Sequence, residues 1–427
     1  MVRQAPHVRE HPASWQIWTA SLLLAVMPLC FAVSGRLKTV PMVLLFVAGL
    51  ILLVTRAETR HACRLVWPVA AACALRLLYD IGNFLGHRLD WTTLDLPAQT
   101  LLFLGIAAVF TLPLKPRVIA IGFSLTTLLL GAASLYQRYV LGADRPYGLN
   151  GGDWAAVEFA MYLLVLALLS MLQALRPGTR RGDRWLHVAA VVVGLYGAVL
   201  TQSRGPLLSF APIYFGLMLW YAMRSRRWRR MLALFAVTVL GMLAITATLH
   251  HEMVERLTDV PAEIASFNTG NSGDAAGAVG AVGERLEMWR AAWQAFLEHP
   301  LAGVGLDQFG VYVREQVAVG NASPLIAKYV HPHSEYLESL VAGGLPALLV
   351  LLLFLAVPLV FFARHLNHAQ EPVATAAAAG LMVIGMYGLC AFSDNVFYRA
   401  MPQSLYLFLV LGLAFSIGRL LHNAPSR

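Results

Sequence analysis

The stretch HPHSEYLESLVAGGLPALLVLLLF, residues 331–354, changes within a few positions from a polar cluster into an apolar run. Its polar part holds two histidines and two glutamates, which are His331, His333, Glu335 and Glu338. Its apolar part is interrupted at Gly343-Gly344-Leu345-Pro346. A run of this length can cross a bilayer, which takes about 20 apolar residues. The stretch therefore predicts a membrane-spanning helix with titratable side chains at one end and a break close to that end.

Apolar runs of similar length recur along the whole chain. The 427 residues are 58% hydrophobic and 13% charged, whereas a soluble domain carries about 25% charged residues. The runs are too long and too uniformly apolar for the alternating strands of a membrane β-barrel. We therefore predict an all-α, polytopic membrane protein with about twelve spans, the first of which is retained because no cleavage site follows it. The spans are predicted near 15–33, 40–55, 63–83, 97–113, 117–138, 154–175, 185–202, 206–223, 231–249, 334–363, 373–393 and 401–421.

The distribution of positive charge predicts the orientation of the spans. The formal net charge is +9, from 32 Lys and Arg and 23 Asp and Glu residues. With the N-terminus inside, more than half of the Lys and Arg residues fall in inside segments, and the short outside loops hold few of them. This is the asymmetry of the positive-inside rule. The basic stretch RSRRWRR, residues 224–230, is accordingly interpreted as a cytoplasmic loop facing the membrane and not as a nucleic-acid site.

One connection is much longer than the others. It runs from about 250 to 331, between the ninth and tenth spans, and the charge pattern places it outside. A loop of this length in a compact protein is usually functional or disordered. The predicted organisation is therefore nine spans in 1–249, one large outer loop in 250–332, and three spans in 333–427.

Two parts of the long loop differ in character. The stretch 266–283 is rich in Gly, Ala, Asn and Ser and is predicted to be flexible. The stretch 284–300 predicts an amphipathic helix that ends at Pro300 and lies at the membrane interface or over the spans. The apolar stripe of this helix is Leu286, Trp289, Trp293, Phe296 and Leu297.

Ionisable residues concentrate at the predicted outer ends of the spans. Such residues are costly at membrane depth, so each is a functional candidate. Outside the histidine cluster they are Arg76, Asp80, Glu158, Arg204, Arg285, Asp394 and Arg399. Structural interpretations stay open for some of them. Arg76 and Asp80 could form an i,i+4 pair, Glu158 could face headgroups, and Asp394 with Arg399 could hold the last outer connection together.

Arg204 lies in a very short predicted turn between two spans, between Ser203 and Gly205-Pro206. Such a turn would hold the guanidinium rigidly at the interface. One interpretation is recognition of an anionic group, such as a diphosphate, by the planar fork of N–H donors. The other is an arginine that only snorkels toward lipid phosphates. Arg285, at the start of the predicted loop helix, offers the same choice.

The two histidines and two glutamates of the opening stretch allow three interpretations. His331 could cap a helix with Pro332 at its first position, and the glutamates would then favour the positive end of the helix dipole. A His-x-His pair with a glutamate could bind a metal, although no third ligand group follows at a typical spacing. A histidine could instead act as a general base, because imidazole titrates near neutral pH. The four cysteines lack metal-type spacing, and none lies in an outer loop.

With these residues the chain resembles the family of O-antigen ligases and polymerase-type membrane glycosyltransferases. The family has a short-loop arginine, an arginine before a Trp-containing helix and a His-Pro-Leu turn, and a histidine that is followed by Asn, Ser or Gln and lies eleven residues before a glycine. The matching residues here are Ser203-Arg204-Gly205, Arg285 with Trp289 and HPLAGVG (299–305), and His333-Ser334 with Gly344. The ligases often carry Gly, Thr or Tyr three residues after that glycine, where this chain has Ala347, so that sister activities stay open.

The resemblance implies a GT-C-type glycosyltransferase in the bacterial inner membrane with its active site on the periplasmic face. It would transfer O-antigen polysaccharide from undecaprenyl diphosphate to a sugar hydroxyl of lipid A–core, with inversion and without metal, nucleotide or obligate protein partner. His333 would be the catalytic base. The substrate-binding candidates are Arg204, Arg285, His331, Arg399 and Arg76.

Three rival functions remain. An O-antigen polymerase of the same family is expected to have two sizeable outer loops, whereas this chain predicts one. A protein O-oligosaccharyltransferase is expected to be longer. A twelve-span secondary transporter should show two related halves and a long inside loop between spans six and seven, but that connection, about 176–184, is short here.

Overall fold

The structure is a computed structural model that describes residues 13–33, 35–149, 156–248 and 281–423. These residues form helices and the turns between them, and contain no strand. The helices are α1 Ser14–Val33, α2 Gly35–Thr55, α3 Ala57–His87, α4 Asp95–Ala107, α5 Pro116–Tyr139, α6 Ala156–Leu175, α7 Arg181–Leu200, α8 Arg204–Ser225, α9 Trp228–Thr248, α10 Ala281–Glu298, α11 Phe309–Ala318, α12 Glu335–His365, α13 Glu371–Cys390 and α14 Ala400–His422.

Eleven helices of the described part are long and apolar enough to cross a membrane, and they correspond to eleven of the predicted spans. The fourth is α4 extended by a 3₁₀ turn at each end, and together they cover Trp91–Thr111. The predicted ninth span falls on α9, of which Met231–Gly241 is a shorter apolar helix within the described side chains. The prediction of a multi-pass helical membrane protein is confirmed.

The core of the bundle is built around α6. Every side chain of this helix from Glu158 to Leu172 is buried, and a helix that is apolar on all sides belongs inside a bundle. Helices α13 and α14 are also largely buried. By contrast, α2 and α9 expose large apolar side chains such as Val54 and Leu232. Such exposure is expected where lipid, not water, surrounds the protein.

The predicted break in the tenth span is confirmed within α12. Gly343 and Gly344 have non-helical backbone angles, and Gly344 has a φ of 65°. The turn that follows α10 lies against this break: Val304 N donates to Val341 O at 2.8 Å, and Leu345 N donates to Pro300 O at 2.9 Å. A Cβ on Gly344 would collide with Pro300 O. The loop turn thus takes up the backbone groups that the break releases from the helix.

Asn83 and Tyr79 of α3 complete the junction around the break. Asn83 Nδ2 donates to Ala342 O at 2.8 Å, and its Oδ1 accepts from Leu306 N at 3.0 Å. The hydroxyl of Tyr79 donates to Gly343 O at 2.9 Å. Three segments distant in sequence are therefore joined at one point, at the end of the bundle that also holds His333.

The apolar stripe predicted for the loop helix is partly wrong. In α10 the buried residues are Met288, Ala291, Ala292 and Ala295, which recur at spacings of three and four. Trp293 is 50% exposed and Leu297 is 62% exposed. Small side chains let α10 approach α12 closely, and this closeness decides which face is buried. Of the stretch predicted to be flexible, 266–283, residues up to 280 lie outside the described part of the chain, and the last three begin α10.

Candidate active site

The candidate site lies where the start of α12 meets the connection between α13 and α14. His333 is joined to that connection by a hydrogen bond of 3.0 Å from its Nδ1 to Asp394 Oδ1. A carboxylate can only accept, so that Nδ1 carries the proton and Nε2 of the neutral ring keeps its lone pair. The His333 side chain is 25% exposed, whereas that of Asp394 is 5% exposed. This arrangement presents an oriented imidazole at the surface of the bundle with its carboxylate partner behind it.

Asp394 is ionised at neutral pH, which suits a group that accepts a hydrogen bond from His333. Burial raises the pKa of Asp394, but the hydrogen bond and charge of His333, together with the Asn395 N–H at 2.9 Å, outweigh the burial. The pKa of Asp394 therefore lies below its ordinary value, and the group is a carboxylate at neutral pH. A buried carboxylate behind a histidine stabilises the imidazolium that forms when the ring takes up a proton.

The backbone holds His333 in an uncommon conformation. Its φ is 52°, in the left-handed region that few residues other than glycine adopt. Ser334 and Glu335 continue the attachment, because Glu335 N donates to Ala391 O at 2.9 Å and Ser334 Oγ donates to the same carbonyl at 3.4 Å. Such strain persists only where the surroundings fix the backbone, and it often marks a functional residue.

The helix-capping interpretation of His331 and Pro332 is wrong. Helix α12 begins at Glu335 with Ser334 at the N-cap, so that His331 and Pro332 lie before the cap. Glu335 also does more than favour the helix dipole. Its carboxylate accepts from Phe397 N at 3.1 Å and lies 3.9 Å from the guanidinium of Arg76. It therefore connects the start of α12 to α3 and to the connection before α14.

His331 is enclosed by aromatic and charged neighbours. Its ring centroid lies 4.4 Å from that of His333 and 4.6 Å from that of Tyr398. Burial, the nearby His333 and Arg399 lower the pKa of His331 to about 4, and Asp394 opposes this shift. His331 is therefore neutral at physiological pH, and it packs directly beside the proposed base.

His331, His333 and Asp394 offer ligand atoms that all lie within 4.8 Å of one another. Imidazole nitrogens with a carboxylate oxygen are a donor set that first-row divalent metals accept. The third ligand type that the sequence spacing did not supply thus comes from the α13–α14 connection. The same three residues equally suit a metal-free base with its orienting acid.

Arg204 is the first residue of α8, and the turn before it is held from the side. Arg145 donates from Nε to Thr201 O at 2.9 Å and from Nη2 to Ser203 Oγ at 3.1 Å. Gln202 in this turn has a φ of 54°. Within the part of the chain that the structure describes, Arg204 makes no ion pair and is half-buried. A rigid guanidinium without a carboxylate partner is suited to binding an anion.

The start of α8 lies beside the Asp394 segment. A Cβ on Gly205 would collide with Ser393 Oγ, so that the residue after Arg204 touches the residue before Asp394. Gly205 fits here because it lacks a side chain. The predicted turn arginine and the predicted histidine are thereby brought to the same connection of the chain.

Arg285 lies in α10, and its neighbours in this helix contact the segment that contains His333. Trp289, one helical turn later on the same face, donates from Nε1 to Pro332 O at 3.0 Å. Glu284 accepts from the Tyr329 hydroxyl and pairs with Lys328 at 2.7 Å, and the Tyr329 ring lies 5.7 Å from that of His333. The start of α10 is thus fixed over residues 329–333, and among the described residues no carboxylate pairs with Arg285.

The other two predicted arginines already have acidic partners. Arg399 Nε lies 3.2 Å from Glu158 Oε1, so that the pair ties α14 to the start of the buried helix α6. Arg76 Nε lies 3.1 and 3.2 Å from the two carboxylate oxygens of Asp80. The predicted i,i+4 pair is therefore present, and both arginines serve as structural links with less donor capacity left for a substrate.

A polar cavity of about 80 Å³ lies between α3, the start of α12 and the segment 395–407. Its lining includes Arg76 and Asp80 together with several side chains that the sequence analysis did not single out. Of these, Asp307, Asn395 and Tyr398 lie in connections between helices. Their participation follows from the tertiary fold, although the Asp-Asn pair in FSDNVFYR is a visible polar signal beside an apolar helix.

The comparisons with known proteins agree with this geometry. Residues 189–352 match the protein family described as O-antigen ligase. The matched segment includes Arg204, Arg285, His331 and His333. A protein of Haemophilus influenzae described as an uncharacterized protein is 23% identical over 279 residues, which are 64% of this chain and 67% of that protein.

The members of that family are membrane glycosyltransferase-like enzymes, and in general they use a lipid-linked glycan donor and a lipid acceptor. The helical architecture, the order of the three motifs and the family match agree with one another. Over residues 189–352, this multi-pass membrane protein is therefore similar to the family described as O-antigen ligase.

Proposed function

We propose that this protein is an O-antigen ligase, which transfers O-antigen polysaccharide from undecaprenyl diphosphate to a sugar hydroxyl of lipid A–core. The observation that carries the proposal is the bond between His333 Nδ1 and Asp394 Oδ1. It leaves Nε2 of an oriented, partly exposed imidazole available as a proton acceptor. Glycosyl transfer to a hydroxyl needs such a base, whereas a transporter does not.

In the proposed reaction, His333 Nε2 takes the proton of the acceptor hydroxyl while the oxygen attacks the anomeric carbon of the donor glycan. The new glycosidic bond forms as the bond between that carbon and the diphosphate oxygen breaks. Undecaprenyl diphosphate leaves with the bonding electron pair, and the anomeric configuration inverts. The imidazolium formed on His333 is stabilised by the carboxylate of Asp394, and the proton is later released to water.

Arg204 and Arg285 are proposed to bind the diphosphate. Negative charge develops on the leaving group, and fixed guanidinium groups stabilise it electrostatically. This assignment is supported by the ordered turn before Arg204 and by the position of α10 over residues 329–333. Arg76 and Arg399 act indirectly in this scheme, by positioning Glu335 and α14. His331 packs beside the proposed base, with 4.4 Å between the two ring centroids.

We further propose that the protein lies in the bacterial inner membrane with the His333 end of the bundle on the periplasmic side. The concentration of Lys and Arg in the loops at the opposite end supports this orientation. The donor and acceptor both carry lipid chains and would reach the site from the bilayer. The enzyme is proposed to be of the GT-C type and to need neither a metal nor a protein partner.

The decisive experiment is complementation of a bacterial strain that lacks its O-antigen ligase, read as lipopolysaccharide banding on a gel. The wild-type chain should restore the ladder on lipid A–core, and His333→Ala should not, although immunoblots should find equal amounts in the membrane. Capped lipopolysaccharide in cells that carry His333→Ala would overturn the role of His333. Failure of the wild type, with rescue of a strain that lacks its O-antigen polymerase, would assign the protein to that sister activity.

A further inference from the structure

The cavity between α3, α12 and the segment 395–407 contains buried polar groups that lack partners. Asn395 is 1% exposed, and its amide makes no hydrogen bond of normal geometry, although the carboxyl group of Glu338 lies close enough to interact with it. The Oε2 atom of Glu338 is buried and without a partner as well. The two side chains are neighbours on the cavity wall. Buried polar groups with unused hydrogen-bonding capacity destabilise a folded protein, so their presence at a cavity favours a ligand that pairs with them.

The size and shape of the cavity suit a small polar group. Its volume of about 80 Å³ exceeds several times the roughly 10–15 Å³ that one water requires. Besides Asn395 and Glu338, its wall carries Ser339 and Tyr398, and Phe354 and Phe397 add apolar surface. A few convergent polar groups on a partly apolar wall are typical of a binding site for a small organic group.

The acidic lining of the cavity does not favour the diphosphate of the donor. Its described lining holds four carboxylates, those of Asp80, Asp307, Glu335 and Glu338, against the single guanidinium of Arg76. That guanidinium is already paired with Asp80 and lies near Glu335. These acidic groups offer a diphosphate no free cation to pair with, whereas the hydroxyls of a neutral sugar could donate to their oxygens and both donate to and accept from the Asn395 amide.

The cavity lies next to the chain segment that holds the proposed base, and this position indicates which substrate it binds. Along the segment 393–398, Ser393 lies against Gly205 at the Arg204 side, Asp394 holds His333, and Asn395 and Tyr398 line the cavity. The turn that carries Arg204 and the cavity are thus both attached to the segment that holds His333. An in-line displacement needs one place for the leaving group and a second place for the attacking hydroxyl.

We propose that this cavity binds the sugar ring of the acceptor, through its hydroxyl groups, with Asn395 and Glu338 as the principal hydrogen-bonding residues. The inference rests on the proposed function, because it assigns the second substrate of that same reaction. Asn395 and Glu338 then determine which acceptor ring presents its hydroxyl to His333. They contribute to acceptor binding and not to donor binding.

The test measures the Kd of each substrate separately, using the purified full-length protein in detergent. The acceptor probe is fluorescently labelled lipid A–core, and the donor-side probe is undecaprenyl diphosphate, each titrated by thermophoresis. The variants are Asn395→Leu and Glu338→Leu, which keep the approximate size and remove the hydrogen-bonding groups. Asn321→Leu makes the same replacement at an exposed residue far from the cavity in the chain, and Arg204→Lys probes the anion site.

The two cavity variants should raise the Kd for lipid A–core about tenfold, the effect of one or two lost hydrogen bonds. They should leave the Kd for undecaprenyl diphosphate within about twofold of wild type, as should Asn321→Leu for both probes. Arg204→Lys should instead raise the Kd for undecaprenyl diphosphate and leave the Kd for lipid A–core close to that of wild type. If a leucine variant fails to elute as a folded monodisperse species, Asn395→Asp, which keeps the shape and removes both N–H donors, replaces it and should raise the Kd at least threefold.

Two different results would overturn the inference, and they can be told apart. If wild type binds lipid A–core and the cavity variants bind it equally well, or lose both probes alike, the cavity is not the acceptor site while the ligase function stands. If wild type binds undecaprenyl diphosphate but no lipid A–core, the proposed ligase function itself fails, and the acceptor assignment fails with it.

Discussion

His333 Nδ1 lies 3.0 Å from Asp394 Oδ1, although 61 residues separate the two in the chain. The pairing joins the start of α12 to the connection that follows α13. It fixes the tautomer of the imidazole, because the buried carboxylate can only accept. The proposed base and its orienting group therefore come from the segment before α12 and from the connection between α13 and α14, and the packing of these helices sets the geometry of the candidate site.

The Asp394→Asn variant tests this relationship. The amide keeps the size of the carboxylate but can donate to Nδ1, which would move the imidazole proton to Nε2 and block the base. We expect kcat for glycan transfer to fall by roughly 10²–10⁴ with KM little changed. Steady-state kinetics of the purified enzyme in detergent measure both. A kcat within tenfold of wild type would show that Asp394 has only a structural role.

Whether the reaction needs a bound metal ion can be tested as directly. His331, His333 and Asp394 could together hold a divalent cation, but a proton-accepting His333 needs none. We expect that dialysis against EDTA leaves the transfer rate unchanged and that an excess of Zn²⁺ lowers it, because the ion would occupy the lone pair of the base. Loss of activity in EDTA, restored by one divalent ion, would contradict the metal-free mechanism.

Much of the fold and part of the site follow from the sequence for identifiable reasons. Spans are set by local hydropathy, and the break at Gly343-Gly344 follows from the conformational freedom of glycine. The role of Asp394 and the participation of Asn395 and Asp307 could not be predicted, since contacts between distant segments depend on how the helices pack. Asp394 and His333 are 61 residues apart in the chain, so their contact could not be predicted from the sequence.

The loop helix shows a second limit of pattern reasoning. Amphipathic patterns identify the buried face when the other side is water. The sequence predicts that α10 lies at the membrane interface or over the spans, and next to an interface, exposed residues such as Trp293 and Leu297 carry no penalty, while Ala292 and Ala295 pack inside. The largest apolar residues therefore marked the wrong face.

The Arg204→Lys variant separates anion recognition from snorkelling. Lysine keeps the positive charge but loses the planar fork that binds two oxygens at once. We expect the transfer rate to fall at least tenfold, since the turn of Thr201 and Ser203 holds position 204 rigidly and an ammonium group there cannot reproduce both contacts. Arg226→Lys, at the C-cap of α8 at the opposite end of this helix, is the matched control and should retain full activity. Wild-type rates in Arg204→Lys would identify Arg204 as a lipid-facing residue.

The junction between α12 and the loop turn predicts an effect on stability. In Gly344→Ala the new Cβ would collide with Pro300 O, and a φ of 65° is unfavourable for alanine. We expect the free energy of unfolding to fall by about 1–3 kcal/mol from the backbone strain, and further from the collision. Gly216→Ala is the control, because a Cβ at this helical glycine of α8 meets no atom within 4 Å, and alanine favours helix. Thermal unfolding in detergent measures both, and equal midpoints for the two variants would contradict the role of the break.

The lowered pKa of His331 predicts how stability depends on pH. Its pKa is about 4 in the folded protein, where burial and its neighbours His333 and Arg399 disfavour the charged ring and Asp394 favours it, against 6.5 for a free histidine. Between these values the unfolded chain binds a proton that the folded protein does not, so stability falls as the pH drops from about 6.5 to 4. The slope for one such group approaches about 1.4 kcal/mol per pH unit. The lowered pKa of Asp394 acts in the same direction but at lower pH, below the ordinary range of a carboxyl group.

The His331→Phe variant isolates this contribution, since phenylalanine keeps an aromatic ring between His333 and Tyr398 and does not titrate. The midpoint of thermal unfolding of the wild type should decrease more between pH 7 and pH 5 than that of His331→Phe, and the two curves should converge in slope above about pH 7. The comparison of two variants of one protein cancels the titration of all other groups. Parallel curves over the whole range would mean that His331 takes up its proton as freely in the folded protein as in the unfolded chain, and that its enclosure by Tyr398 and His333 is not maintained in solution.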